Sequence, residues 1–395
     1  MTNQKMYEYG SSPSKIRELY EYGKKRKKEI GNDKVFDFSL GNPNVPSPRI
    51  VNKTLIKLIN NTDPVILHGY TSAVGDLDVR NAIVNYLNLK YHTNHNANLV
   101  YLTVGAAASL TISLNALLNQ NDEVIVFAPF FPEYRVFVEK AGGILKITKP
   151  EEKTFEPDLN HFEELINENT KAIIINSPNN PTGVVYREDT IIKITEILNK
   201  KSKEYNHPIF IISDEPYREL VYDDIEVPFI TKYYNNTIVC YSFSKSLSLP
   251  GERIGYILVN EKAVEAKTIY LSICGAGRSL GFVCAPALFQ YMIPSCLGYT
   301  ADLNVYKYNR DLLYNALVSY GYDVVKPSGA FYLFVKALEE DANVFCEKAK
   351  EFELLIVPSD SFGYKGYVRI SYCVSTNQIE LSLPSFKKLI DEYRG

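Results

Sequence analysis

From about residue 95 to residue 260 the chain alternates short apolar, β-rich runs with longer stretches whose apolar positions recur at helical spacing. That alternation is the signature of an α/β fold, a mostly parallel central sheet with helices on both faces. The predicted strands are NLVYLTV (98–104), DEVIVFA (122–128), GILKIT (143–148), KAIIIN (171–176), PIFIISD (208–214), NTIVCYSF (236–243) and RIGYILV (253–259). Several lack the polar alternation of a strand with one wet face, so burial on both faces is expected. Most end in residues able to do chemistry, and open α/β sheets bind ligands at the carboxyl ends of their strands.

Beyond about residue 295 the pattern changes. A helical stretch (303–321) leads to GAFYLFVK (329–336), a helix (342–352), LLIVPSD (354–360), YVRISYCV (367–374) and a closing helix, which predicts a smaller α+β domain. The first forty-odd residues precede the central sheet and carry a helix of their own. The expected organisation is an N-terminal segment, 1–48, packing with the small domain, a large domain at 49–295, and the small C-terminal domain at 296–395. A length of 395 residues fits two lobes better than one core.

With 46% hydrophobic and 23% charged residues the composition is that of a globular protein. A formal net charge of −3 gives no footing for nucleic acid or an anionic membrane. The one cationic run, Lys24 to Lys28, closes a helical pattern, where cations complement the peptide dipoles. The six cysteines form no CxxC pair and read as reduced core thiols. The N-terminal stretch has no apolar core of a signal peptide, and no 18-residue apolar run occurs. The expected location is the cytoplasm, without nucleic-acid or membrane partners.

Three polar devices stand at the ends of consecutive predicted strands: NSPNNPTG (176–183), Asp214 in SDEPYREL, and SFSKSLSLPGERIGY (242–256). Asn-Pro-Thr-Gly alone is turn chemistry. An acid at a strand end serves as a helix cap, a metal ligand or a partner for a bound cation. No histidine lies near Asp214 at ligand spacing, so no metal is expected there.

In that order and spacing the three stretches resemble the class I aminotransferases, fold type I pyridoxal-phosphate enzymes, and the resemblance runs from SLGNPN near residue 40 to YVRISYC near residue 370. It implies pyridoxal 5′-phosphate as cofactor, an amino acid and a 2-oxo acid as substrates, and a homodimer. Lys245 would hold the cofactor aldehyde as an imine and relay the substrate's α-proton. Asp214 would keep the pyridine nitrogen protonated, and Tyr217 and Asn180 would hydrogen-bond the phenolic oxygen. For the phosphate the resemblance implies Arg253, Ser242 and the backbone of Gly105, Ala106 and Ala107 at a helix start. Relatives often carry a hydroxyl or lysine where this chain has Ala106 to Ala108, which leaves only backbone amides there. Phe131 would stack on the ring, and Tyr70, in HGYTSAVGDLDVR, would reach the partner's phosphate. Arg369 matches the residue that grips the substrate α-carboxylate, and Gly41 one whose backbone lies beside it. Lyase chemistry at a C–S bond begins at the same site and is the alternative activity. A regulator would need a DNA-binding segment that the short N-terminus does not offer. Arg278, and the aromatic pair Phe331 and Tyr332, are candidates for framing the substrate side chain.

Overall fold

A computed structural model describes residues 2–11 and 14–395; residues 1, 12 and 13 of the expected N-terminal segment lie outside the described residues. All seven predicted strands form one sheet: Val100–Thr103 (β1), Glu123–Phe127 (β2), Ile144–Thr148 (β3), Thr170–Asn176 (β4), Phe210–Asp214 (β5), Thr237–Ser242 (β6) and Gly255–Val259 (β7). Their order is β1-β7-β6-β5-β4-β2-β3. The neighbours from β3 to β6 are parallel, whereas β7 runs antiparallel to both β1 and β6. Only residues 243–254 join β6 to β7, about the minimum for the helical crossover of a parallel pair, and they hold no long helix, so the chain turns straight back.

Burial on both faces is met residue by residue. Ile173 and Ile175 of β4 pack with Ile191, Ile194 and Leu198 of the helix Glu188–Glu204, while Ala172 and Ile174 join Leu110 and Leu114 of the helix Ala106–Leu117. Successive side chains of a strand alternate between faces, so an all-apolar strand needs a helix layer on each.

A second, antiparallel sheet contains Val324–Val325 (β8), Tyr332–Lys336 (β9), Val357–Pro358 (β10) and Tyr367–Ser371 (β11), in the order β10-β11-β9-β8. Leu333, Val335, Val368 and Ile370 form its core with Leu313 and Leu317 of the helix Leu303–Tyr320 and Phe386 and Leu389 of the helix Thr376–Glu392. The N-terminal helix Lys15–Ile30 (α1) lies against this part: Leu19 packs with Val357 and Phe362, and Arg26 pairs with Glu353. Phe36 and Asp37 then run parallel to Leu354 and Leu355. Lys27 and Lys28 occupy the last turn of α1, which Gly31 closes at φ 107°. The preceding helix, Gln4–Ser11, reaches the other way, with Lys5 and Tyr9 both on Glu139. Among the described residues no helix is long and apolar enough to cross a membrane.

Beneath the carboxyl ends of the central strands Arg218 is buried. It donates to Glu215 at 2.7 Å, Glu219 at 3.2 Å and the Tyr256 hydroxyl at 3.1 Å, and lies 4.4 Å from the ring centre of Tyr241. It ties the turn after β5 to β6 and β7. Removing one partner of a buried pair strands the other's charge away from water. Arg218→Met is expected to lower unfolding free energy by about 3–5 kcal/mol, read from the urea midpoint, with Glu215→Gln added on top restoring part of the loss.

Candidate active site

Register brings the strand ends together: Asn176 pairs with Asp214 across β4 and β5, and Asp214 with Cys240 of β6. The Asn176 side chain donates to the Asp214 carbonyl at 3.0 Å and accepts the Asn180 amide at 2.8 Å. Asn179 accepts from the Thr182 amide and hydroxyl at 3.1 and 2.8 Å. Gly183, at φ 71°, lies so close to Pro327 and to the carbonyls of Gly329 and Tyr332 that a Cβ would collide with them. The turn is therefore held by Asn176, Asn179, Thr182 and Gly183, which leaves the Asn180 side chain available to the site.

That side chain meets Arg369, whose Nη1 donates to Asn180 Oδ1 at 3.0 Å while Nη2 donates to the Ser39 carbonyl. Because a guanidinium only donates, the Asn180 oxygen must face it and the amide NH₂ is turned the other way. Arg369 sits mid-sheet in β11 between the rings of Tyr332 and Phe362, at 4.6 and 5.2 Å. It is buried, pairs with no carboxylate among the described residues, and its Nε has no partner. The salt bridge that would make it a structural arginine is missing.

Lys245 lies early in the link from β6 to β7, in the short helix Phe243–Ser246, and its Nζ donates to the Gly41 carbonyl at 2.7 Å. Burial, with the charges of Arg253 and Arg369 adding to it, lowers its pKa to about 8. Asp214 is buried too, and burial pushes its carboxyl up to about 7. Its Oδ2 accepts from Tyr134, and its Oδ1 has no partner. The Tyr217 hydroxyl bonds that of Tyr332 at 2.8 Å, and Tyr332 in turn lies so close to Gly41 that no Cβ fits there.

These groups line one cavity of about 510 Å³, which includes Gly41, Ala106, Ala107, Phe131, Asn180, Asp214, Tyr217, Lys245 and Arg369. Ala106 and Ala107 open the helix Ala106–Leu117, whose cap, Gly105, offers no side chain, so its first amides are free to meet an anion. Gly105, Ser242 and Arg253 are not part of this lining. A Cβ on Gly105 would lie 2.6 Å from Arg253 Nη2, so glycine alone admits the guanidinium. Arg253 Nη1 reaches Ser244 Oγ at 3.4 Å, and Ser244 is hydrogen-bonded to Ser242 at 2.7 Å. Ser242 also caps its short helix by accepting the Ser244 amide, so the hydroxyl beside Arg253 is that of Ser244. Phe131 stands edge-on to Tyr134, 5.7 Å between ring centres. Tyr70 is 98% exposed and lines no part of its own chain's cavity. Arg278 is likewise exposed and outside it. Sequence reasoning missed the Tyr134 bond to Asp214, the structural work of Asn176, and the lining by Ser14, Ile16, Arg17 and Glu133.

The donor set fits pyridoxal phosphate. Asp214 Oδ1 is an unmatched acceptor for a ring N–H, Lys245 is an amine kept easy to deprotonate, and a capless helix start beside Arg253 suits a phosphate. Because the folded-state pKa of Asp214 is raised, the native protein binds this proton more tightly than the unfolded chain, and stability must fall as pH rises from about 4 towards 7. In the cofactor-free protein, Asp214→Asn is expected to remove a decline on the order of 4 kcal/mol across that window, measured by urea titration at pH 4.5 and 7.5.

The family model for aminotransferase class I and II matches residues 33–383. The aspartate aminotransferase of Thermotoga maritima is 30% identical over 363 residues, covering 90% of this chain and 92% of that one. A probable aspartate/prephenate aminotransferase of Aquifex aeolicus is 31% identical over 375 residues, 91% of each. The crystal structure of an amino transferase from Eubacterium rectale, 56% identical, superposes with a TM-score of 0.98 over 100% of both chains. The chain belongs to the class I and II aminotransferases, enzymes that pass an amino group from an amino acid to a 2-oxo acid and that generally work with pyridoxal phosphate.

Proposed function

We propose that this chain uses pyridoxal 5′-phosphate, held covalently through Lys245, to move the amino group of an L-amino acid onto a 2-oxo acid. The observation that carries this reading is the pair formed by Lys245, an amine that burial leaves near neutrality, and Asp214 Oδ1, a buried acceptor with no partner, in one cavity. Asp214 would take the ring N–H, Tyr217 and Asn180 would donate to the phenolic oxygen, and Phe131 would cover one ring face. The amides of Ala106 and Ala107, with Gly105 making room for Arg253 and the linked Ser242 and Ser244 hydroxyls, would hold the phosphate. The bound cofactor supplies an electron sink that makes the amino acid's α-C–H acidic.

This chain's residues do the rest. Arg369, whose Nε lacks a partner, takes the α-carboxylate, and its contacts to Asn180 and Ser39 fix the plane in which that anion is gripped. The Gly41 carbonyl holds Lys245 Nζ in place. Free of that bond, the amine would accept the α-proton and return it to the carbon on the far side of the transferred nitrogen, a relay suited to a base whose pKa sits near working pH. Residues 49–295 carry the cofactor contacts, and residues 1–48 with 296–395 bring Gly41 and Arg369 to the substrate.

A homodimer completes the site. Tyr70 is exposed, as are the apolar residues Val65, Ile66 and Leu77 near it in sequence, which suits contact with a second copy, where its hydroxyl would reach the partner's phosphate. The cytoplasm suits six cysteines that are all unpaired.

Borohydride reduction after incubation with pyridoxal phosphate is expected to leave a pyridoxyl mass on the Lys245 peptide. Lys245→Ala should stay folded, lose that label and lose amino transfer; an unchanged label would overturn the lysine assignment. Release of pyruvate and ammonia from a cysteine conjugate, without amino transfer, would overturn transfer in favour of C–S cleavage. For Tyr70, inactive Lys245→Ala chains mixed with Tyr70→Ala chains are expected to re-form intact sites in mixed dimers, about a quarter of all sites by two-fold statistics, seen as a rise in activity on mixing.

A further inference from the structure

The cavity draws cations from three parts of the chain: Lys245, Arg369, and Arg17 in the first turn of α1. The reaction proposed above uses the first two and leaves Arg17 without a task. Its side chain is exposed at the rim, and no hydrogen bond or ion pair among the described residues engages it, although Lys15 beside it is held by Glu18 at 2.8 Å and Arg26 on the same helix grips Glu353. Helix formation does not account for it, since a cation in the first turn faces the positive end of the peptide dipoles. The other charge in the lining not yet assigned, Glu133, does have a local reason: it begins the helix Glu133–Lys140, where a carboxylate is favoured. The remaining residues that α1 and the segment after it give to the lining, Ile16, Leu40 and Gly41, carry no charge.

We propose that Arg17 is the specificity-determining residue for substrates with two carboxylates, holding the distal carboxylate of a 2-amino dicarboxylic acid, and of its 2-oxo counterpart, while Arg369 holds the α-carboxylate. This rests on the reading of Arg369 given above. A guanidinium presents a planar fork that matches a carboxylate with two parallel hydrogen bonds. An apolar side chain in its place makes no such bonds, so the two substrate classes separate at this residue. Arg278 lies outside the lining and gives no help from within the same chain.

The test uses the holoenzyme, with Arg17→Gln and Arg17→Lys compared to the unaltered chain. Glutamate and aspartate serve as dicarboxylic donors, alanine and phenylalanine as monocarboxylic ones. Arg17→Gln is expected to lower kcat/KM for the dicarboxylic donors roughly ten- to a hundred-fold, mostly through KM, and to leave the others within about two-fold. Arg17→Lys, which keeps charge without the fork, should fall between. Calorimetric binding of glutarate should weaken by a similar factor in Arg17→Gln while butyrate binding does not change. An equal loss for every donor, an unchanged ratio, or unaltered glutarate binding would overturn the assignment. Should no donor pass on its amino group, the amino-transfer reading fails, and glutarate binding still decides the role of Arg17.

Discussion

A carboxylate buried at the end of β5 with one oxygen matched and the other bare is the constraint on which this site depends. Taking such a group out of water is unfavourable unless hydrogen bonds replace the solvent. Tyr134 meets half of that demand, and burial drives the group towards its neutral form. The other half is left open towards a cavity, and the neighbouring residues keep it open. Asn176 bonds the Asp214 main chain, not its carboxylate, and Glu215, next in sequence, is engaged by Arg218 and Ser213. A ligand presenting an N–H to Oδ1 removes an existing penalty, so part of its affinity is already stored in the empty fold.

Topology then determines which residues can gather around that oxygen. Four parallel strands, β3 excepted, end near one edge, and the reversal of β7 keeps residues 243–254 on that same edge without a covering helix. Lys245 and Arg253 belong to one short link and therefore stay together. The antiparallel sheet supplies what the central one does not: Arg369, fixed between two strands and two aromatic rings, with one nitrogen still free.

Much of this was legible in the chain. Apolar runs such as AIIIN identify themselves because both faces are covered, and the polar residues that follow Asn176, Asp214 and Ser242 must be neighbours once their strands are. Other features had no local signal. Tyr134 finds Asp214 across 80 positions, and with 30 tyrosines in the chain no spacing singles it out. Tyr332 could be read only as an aromatic of the site, whereas its hydroxyl both meets Tyr217 and fills the space beside Gly41. The hydroxyl nearest Arg253 came from Ser244 because Ser242 is occupied as a helix cap, a competition decided by geometry alone. The reversal of β7, by contrast, was readable: twelve or so residues are about the minimum that a crossover needs, and none of them is patterned as a long helix.

Gly183 has a mechanical meaning. With no Cβ, it lets the turn after β4 press directly onto the backbone of Gly329 and Tyr332, and its carbonyl accepts the amides of both Ser328 and Gly329. The turn that carries Asn180 is thus welded to the loop that leads into β9. Any rocking of the antiparallel sheet would have to carry this turn along or break these close contacts, so the hydrogen bond from Arg369 to Asn180 stands or falls with the same junction.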